Sequence, residues 1–351
     1  MSKQNELVEL SRVFDTSALS NRNLIINGAQ NIAQRGTSFT SQNTSHFVTD
    51  RFEPTMSSYG IWTTEQSSDA PDGFSKSLKM TCTTADTSPS SNDYCRISYL
   101  PEAQDLQHLN FGSSAAKTTT VSFWVKSNVV ATYVFWMYQP DNANTRQINK
   151  LFTVDTADTW EYKTLTIEGD TSGTINNDNG VGMLIGWILS SGTGYTSGTR
   201  PANWTNHTAA DRWAGLTADV GGTVNNYFQI TGVQWEVGTE ATPFEHRSFG
   251  DELARCQRYY EIADTEGSDT RRISMNKGST GSNYYWGLEF RVTKRAKPTC
   301  TITQSYNDNL TLAVHSTATG KNHMGIRSET GGSTDTRALA EFTAWTADAE
   351  L

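Results

Sequence analysis

Apolar and polar side chains alternate along much of this chain, and that period sets the first expectation. Val181, Met183, Ile185, Trp187 and Leu189 occupy every second position, as a strand with one buried face requires. Val121, Phe123 and Val125 repeat the pattern, with Ser122 and Lys126 in the polar phase. Tyr133 to Tyr138, YVFWMY, is apolar in both phases, which fits a central strand covered on both sides. Ser77 to Thr84 and Tyr94 to Tyr99 flank a polar loop of Ser, Asp and Pro, and Trp160 to Ile167 adds a further strand. Asn23 to Gly28 reads as a strand closed by an Asn-Gly turn signal. Helical spacing is almost absent between residues 23 and 248. Short strands at short intervals with Gly, Asn and Asp turns predict an all-β fold, a jelly-roll β-sandwich.

The stretch Asn226 to Glu261 closes that sandwich. Phe228 and Ile230 hold one apolar phase, whereas Val233, Trp235 and Val237 hold the other, and the slip falls on Thr231-Gly232. A glycine at a phase slip predicts a β-bulge. Gln234 and Glu236 occupy the polar phase, so both are expected to face solvent. Pro243 stops regular pairing, and Phe244, Phe249, Leu253, Tyr259 and Tyr260 form an apolar run suited to joining one module to the next. Beyond it, Tyr284 to Val292, Thr299 to Gln304, Leu310 to His315 and Ala338 to Trp345 read as strands of a small C-terminal β-sandwich domain. The chain is therefore divided into a short N-terminal arm (1–22), the jelly roll (23–248) and the β-rich C-terminal domain (249–351). In the arm, Leu7, Leu10 and Phe14 form an apolar stripe, too short to stand alone in water. It either caps its own domain or serves anchoring and oligomerisation. Edge strands favour several copies side by side.

Charge and composition narrow the function classes. The 351 residues are 36% hydrophobic and 19% charged, with 27 Gly and a formal net charge of -9. No basic run exceeds a pair such as Arg271-Arg272, so the electrostatic footprint of a nucleic-acid binder is missing. The first residues hold no apolar block of signal-peptide length, and no 18-residue apolar run suggests membrane insertion. A protein made in a cytosol is the expectation. The four cysteines show no CxxC or Cys/His zinc spacing. Buried free thiols are expected, with a Cys82–Cys95 disulfide as the alternative.

One long loop carries candidate binding chemistry. Ser191 to Gly222 spans 32 residues without strand period yet holds Tyr195, Arg200, Trp204, His207, Arg212 and Trp213. Sugar rings stack a C–H face on an aromatic plane and offer hydroxyls to polar donors. Tyr195, Arg200, Trp204, Arg212 and Trp213 are therefore candidate glycan-binding residues. In the alternative, Trp204 and Trp213 fold back as plugs on the sandwich or pack on a neighbouring subunit. For hydrolysis the nearest carboxylates are Glu236, Glu240 and Glu245. No G-x-S-x-G, HExxH or phosphate loop occurs, so no catalytic residue is assigned and no enzyme is expected. His246 reads as a hydrogen-bonding group of the junction. No cofactor is implied, although Asn176, Asn177, Asp178 and Asn179 before Gly180 offer oxygen ligands for a structural calcium.

Four segments carry a resemblance: NLIINGAQNIAQRGTSFT (23–40), TLTIEGDTSGTINNDNGVG (164–182), ITGVQWEVGTEATPFEHRSFGDELARCQRYYE (230–261) and WTADAEL (345–351). Together they make the chain similar to tail-fibre and other virion surface proteins of bacteriophages, particularly those of marine bacteria. The resemblance implies a jelly roll of the carbohydrate-binding-module type and a homotrimer on the surface of the virion. It further implies contact with host cell-surface glycans, and carries no catalytic residues. The arm of about 22 residues before the sandwich would then dock on other virion proteins. Tail fibre, short spike and head-decorating fibre all fit that reading.

Overall fold

A computed structural model of the chain describes residues 21–141, 145–263, 271–276, 282–330 and 337–351. Leu7, Leu10 and Phe14 lie outside the described residues. Two compact units divide the chain, residues 1–249 and 250–351.

The first unit is a jelly-roll sandwich of two six-stranded antiparallel sheets. One sheet runs in the order β1 (Ser38–Gln42), β3 (Ile61–Ser67), β4 (Ser77–Thr84), β12 (Tyr227–Val237), β6 (Thr119–Ser127), β9 (Glu161–Ile167). The other runs β11 (Thr205–Asn206), β8 (Arg146–Val154), β7 (Ala131–Gln139), β10 (Leu184–Ser191), β5 (Tyr94–Tyr99), β2 (Phe52–Ser57). The inward phase of each strand fills the gap between them. Trp62, Met80, Phe123, Phe135, Trp187, Phe228 and Trp235 are all fully buried there. The two apolar phases of β7 have separate partners. Tyr133, Phe135 and Met137 enter this core, while Val134 and Trp136 join a second cluster with Ile188 and Trp213.

The bulge falls where the phase slips. Pairing of β12 with β6 shifts register between Thr231 and Gln234, and Gly232 takes φ +61°. A Cβ at that position would lie 2.7 Å from the Phe74 ring, so glycine is required both by conformation and by space.

Two expectations along β12 are corrected. Residues 23–28 lie along the strand but form no strand themselves. Leu24 N donates to Trp235 O (2.8 Å) and Val233 N to Gly28 O (2.9 Å). Between these the Asn23 side chain adds two bonds, Nδ2 donating to Val233 O (3.1 Å) and Oδ1 accepting from Trp235 N (3.1 Å). Glu236 does not face solvent: it is 1% exposed. Segment 242–245 covers the polar phase of the strand. Glu236 accepts from Thr242 N (2.9 Å), Thr242 Oγ1 (2.6 Å) and Gln234 Nε2 (2.7 Å), and Glu245 N donates to Gln234 Oε1 (2.8 Å). The alternation is real, but its polar side is a satisfied network rather than a wet face.

None of the four cysteines forms a disulfide. Cys82 on β4 and Cys95 on β5 sit in opposite sheets, fully buried in the same core. Burial pushes the Cys95 thiol well up, which keeps it protonated and unreactive.

The second unit opens with a helix, α1 (Phe249–Gln257), where the sequence suggested only an apolar junction. Asp251 and Glu252 in its first turn and Arg255 in its last complement the helix dipole. Strands follow as β13 (Tyr260–Ile262), β14 (Arg271–Asn276), β15 (Asn283–Glu289), β16 (Thr299–Asp308), β17 (Leu310–Val314), β18 (His323–Thr330) and β19 (Arg337–Asp348). Long β19 pairs with β13 and β14 along one side and β16 along the other, and β15-β18-β17 form a second sheet. Leu310, Met324, Ile326, Ala340, Phe342 and Trp345 make the core. Beside it Lys294 Nζ and Glu261 form an ion pair at 2.6 Å with both side chains fully buried. Among the described residues no helix is long and apolar enough to cross a membrane.

Candidate functional site

The outward phase of the second sheet is neither polar nor bare. β5 contributes Tyr94 and Arg96, β7 Trp136 and Tyr138, β8 Gln147, Asn149 and Leu151, and β10 Ile188. The loop between β10 and β12 lies across this face and is stitched to it by the buried amides of β8. Asn149 N donates to Pro201 O (2.8 Å), Asn149 Nδ2 to Ala214 O (3.3 Å) and Gln147 Nε2 to Thr208 O (3.1 Å). Inside the loop, Asp211 Oδ1 accepts from Thr199 N at 2.7 Å. A segment with no strand period is thereby ordered through its backbone carbonyls.

The five loop residues fare differently. Trp213 is fully buried, with Tyr195 and Tyr94 ring centroids at 4.8 and 5.2 Å. It presents no face to a ligand, so its assignment as a stacking residue is corrected: its indole is the plug that seats the loop on Val134, Trp136 and Ile188. Trp204 packs edge-on against Phe111 at 5.7 Å and donates Nε1–H to Glu168 O at 2.7 Å. It is half-buried on the inner core cluster rather than on the group around Trp213. Arg200 is exposed near Gly215. Tyr195 and Arg212 are half-buried and brought together.

Arg212 is the hub of that group. Its guanidinium carbon lies 4.8 Å from the Tyr195 ring centre, 5.1 Å from Trp136 and 5.5 Å from Trp213. Its Nη2 meets His207 Nε2 at 2.8 Å. An arginine can only donate, so that nitrogen accepts and the imidazole is neutral. Burial, then the Arg212 charge, push the His207 pKa down, in agreement with this. Tyr138 stacks on Trp136 (5.4 Å, 23°) and meets the edge of His207 at 5.1 Å. Beneath, Arg96 is 9% exposed and sits over Tyr94 (5.2 Å) and Trp136 (5.7 Å). The exposed parts of Tyr138, Tyr195, His207 and Arg212 thus form one platform of aromatic and hydrogen-bonding groups. Sequence reasoning missed Tyr94, Arg96, Trp136 and Tyr138. For Trp136 and Tyr138 the signal was the second apolar phase of YVFWMY, which needed a cover.

Two of the three candidate acids have other work, while Glu240 is exposed. Glu236 is enclosed as described, and Glu245 accepts from Asn21 N (2.5 Å) and Asn23 N (2.8 Å) beside Arg247 (3.5 Å). Partial burial pushes the Glu245 carboxyl up. The Asn23 and Asn21 amides with Arg247 and Arg22 outweigh that and hold it below the usual carboxylate value. In the oxygen-rich turn, Asp178 Oδ1 accepts from Gly180 N (2.7 Å) and Asp141 Oδ2 from Asn176 N (3.0 Å). Among the described residues no cluster of three His, Cys, Asp or Glu is placed to hold a metal ion.

No protein-family model matches the chain, and no curated protein matches it. Solved structures similar to it include the enzymatically active domain of tailspike protein 4 of bacteriophage CBA120. That match has a TM-score of 0.33 at 11% identity, over 62% of this chain and 22% of that one. A family 11 carbohydrate-binding module from Clostridium thermocellum, in complex with a β-1,3-1,4-mixed-linked tetrasaccharide, matches with a TM-score of 0.30. Identity is 11%, over 59% of this chain and 98% of that one. TmCBM61 in complex with β-1,4-galactotriose matches with a TM-score of 0.27 at 10% identity, over 63% of this chain and 100% of that one. This chain thus spans about a fifth of the tailspike domain's length.

Proposed function

We propose that the protein is a non-enzymatic glycan-binding component of a phage particle, a trimeric tail fibre or spike. In this reading its sandwich meets host surface glycans through the face of the second sheet. The observation that carries it is the Tyr138–Tyr195–His207–Arg212 platform. Ring faces held rigid by buried Trp136 and Trp213, with a guanidinium and an imidazole beside them, match the alternating apolar and hydroxyl surface of an oligosaccharide. Preorganisation matters here, because rotamers already fixed need not be frozen on binding. The virion location, the trimer and the anchoring role of Leu7, Leu10 and Phe14 rest on the four resembling segments. No cofactor is called for.

The competing reading is a depolymerase on the same scaffold. Glycoside hydrolysis needs one carboxyl acting as acid and another as base or nucleophile, and Glu236 and Glu245 are spent holding segment 242–245 and the 21–23 segment. A glycan array probed with the full chain, followed by a reducing-end assay on every glycan bound, tests both. Binding without new reducing ends is expected, weakened about tenfold by Arg212→Ala with Tyr138→Ala. Release of reducing ends above background would overturn the non-enzymatic reading.

A further inference from the structure

The outward face of the first sheet carries a feature that the platform does not explain. A cavity of about 420 Å³ opens there, lined by Asp72, Phe74, Ser122, Trp124, Tyr162, Thr242, Phe244 and His246 over Gly232. That volume lies within the range of small-ligand sites.

Its construction follows from the strand phases. Val121, Phe123 and Val125 of β6 face the core, which sends Ser122 and Trp124 outward. Trp124 is the cross-strand partner of Tyr162 on β9, and their rings stand 5.3 Å apart at 47°. They form one wall. Phe74, Phe244 and His246 form the other, with centroids 4.8 to 5.4 Å apart. Between the walls the floor is the bulge at Gly232, where a Cβ would come within 2.7 Å of Phe74 and 3.0 Å of Trp124. The buried Glu236 network acquires a purpose here. By gripping Thr242 through both its amide and its hydroxyl, it fixes the segment that carries Phe244 and His246.

We propose that this cavity is a second ligand site, one that takes a single neutral pyranose ring. Aromatic rings on either side of a small floor offer apolar surface to the C–H face of one ring, whereas the platform on the other sheet is open and suits a chain. The lining contains no Lys or Arg, and Asp72 is its only acid, so the site repels uronic acids, sialic acids and phosphorylated sugars. Asp72, Ser122 and His246 supply hydrogen-bonding groups for ring hydroxyls. Tyr162 is 44% exposed, so part of its ring is open to a ligand. Only the choice of ligand class rests on the glycan-binding reading. The cavity itself stands on the opposite sheet and is tested separately.

The test is titration of the full chain with methyl α- and β-hexopyranosides, with glucuronic acid and with adenosine, followed by tryptophan fluorescence and saturation-transfer NMR. At least one neutral pyranoside is expected to bind, and glucuronic acid is not. Tyr162→Ala and Trp124→Ala should each weaken that binding about tenfold with the far-UV spectrum unchanged, while Arg212→Ala leaves it intact. Tyr162 is the safer position, because its loss opens no core. Asp72→Asn should admit the acid sugar. The proposal is overturned if no pyranoside binds, if adenosine binds the cavity in preference, or if binding ignores Tyr162→Ala and is lost with Arg212→Ala. Pyranoside binding without any glycan bound on the platform would sink the platform and leave the cavity standing.

Discussion

Glu245 shows how a side chain that reads as a candidate acid becomes a fastener. Its carboxylate gathers two backbone amides from residues 21 and 23 and lies beside Arg247, and these hold its pKa below the ordinary value. Such a group binds its proton more weakly folded than unfolded. Its contribution is therefore complete above the unfolded value of about 4.3 and disappears as the pH falls through the lower folded value. Glu245→Gln should lower the melting temperature at pH 7 and shrink the gap to wild type as the pH drops below about 4. A gap that stays constant from pH 7 to pH 3 contradicts this role. Glu236 and Gln234 teach the same lesson. Their spacing showed a strand, but nothing in the spacing showed that segment 242–245 would cover its polar side, because that cover arrives from residues on both sides of Pro243, past the end of the strand.

Among the elements, strands were legible where one phase stayed apolar. Ser77–Thr84 and Tyr94–Tyr99 match β4 and β5 to the residue. β8 was not recognised, because Gln147 and Asn149 break its alternation. Both are fully buried, serving as anchors for a loop that the sequence gives no way to place. Helix α1 was missed for a related reason: the apolar run from Phe244 to Tyr260 masked the acidic first turn at Asp251 and Glu252. The loop itself was singled out by its aromatics, yet their positions were divided by packing, which composition does not encode. Trp213→Ala should therefore cost about 3–5 kcal/mol, as other buried tryptophan truncations do, and loosen the whole loop to proteolysis. Trp204→Ala, at a half-buried site, should cost less. Equal melting temperatures for wild type and Trp213→Ala would contradict the plug.

At the scale of the molecule, each unit has its own core, and the second contains a liability of its own. Lys294 and Glu261 are paired at 2.6 Å with no exposure, and Glu261 also accepts from Arg291 N at 3.1 Å. Burial pulls the Lys294 ammonium pKa down against the pull of Glu261. Lys294→Met alone strands a buried carboxylate and should cost about 3–5 kcal/mol, whereas Lys294→Met with Glu261→Leu should recover most of it. A double variant no better than the single one would show the pair to be indispensable to the fold. The central claim for the whole chain is binding without cleavage, and it is met most directly by one paired measurement. A glycan retained by the protein is incubated with it for hours, and both bound glycan and new reducing ends are counted. Retention that falls with Arg212→Ala and Tyr138→Ala, with reducing ends at background throughout, is what the platform predicts. Reducing ends that accumulate with wild type and vanish with Glu236→Gln or Glu245→Gln would contradict it.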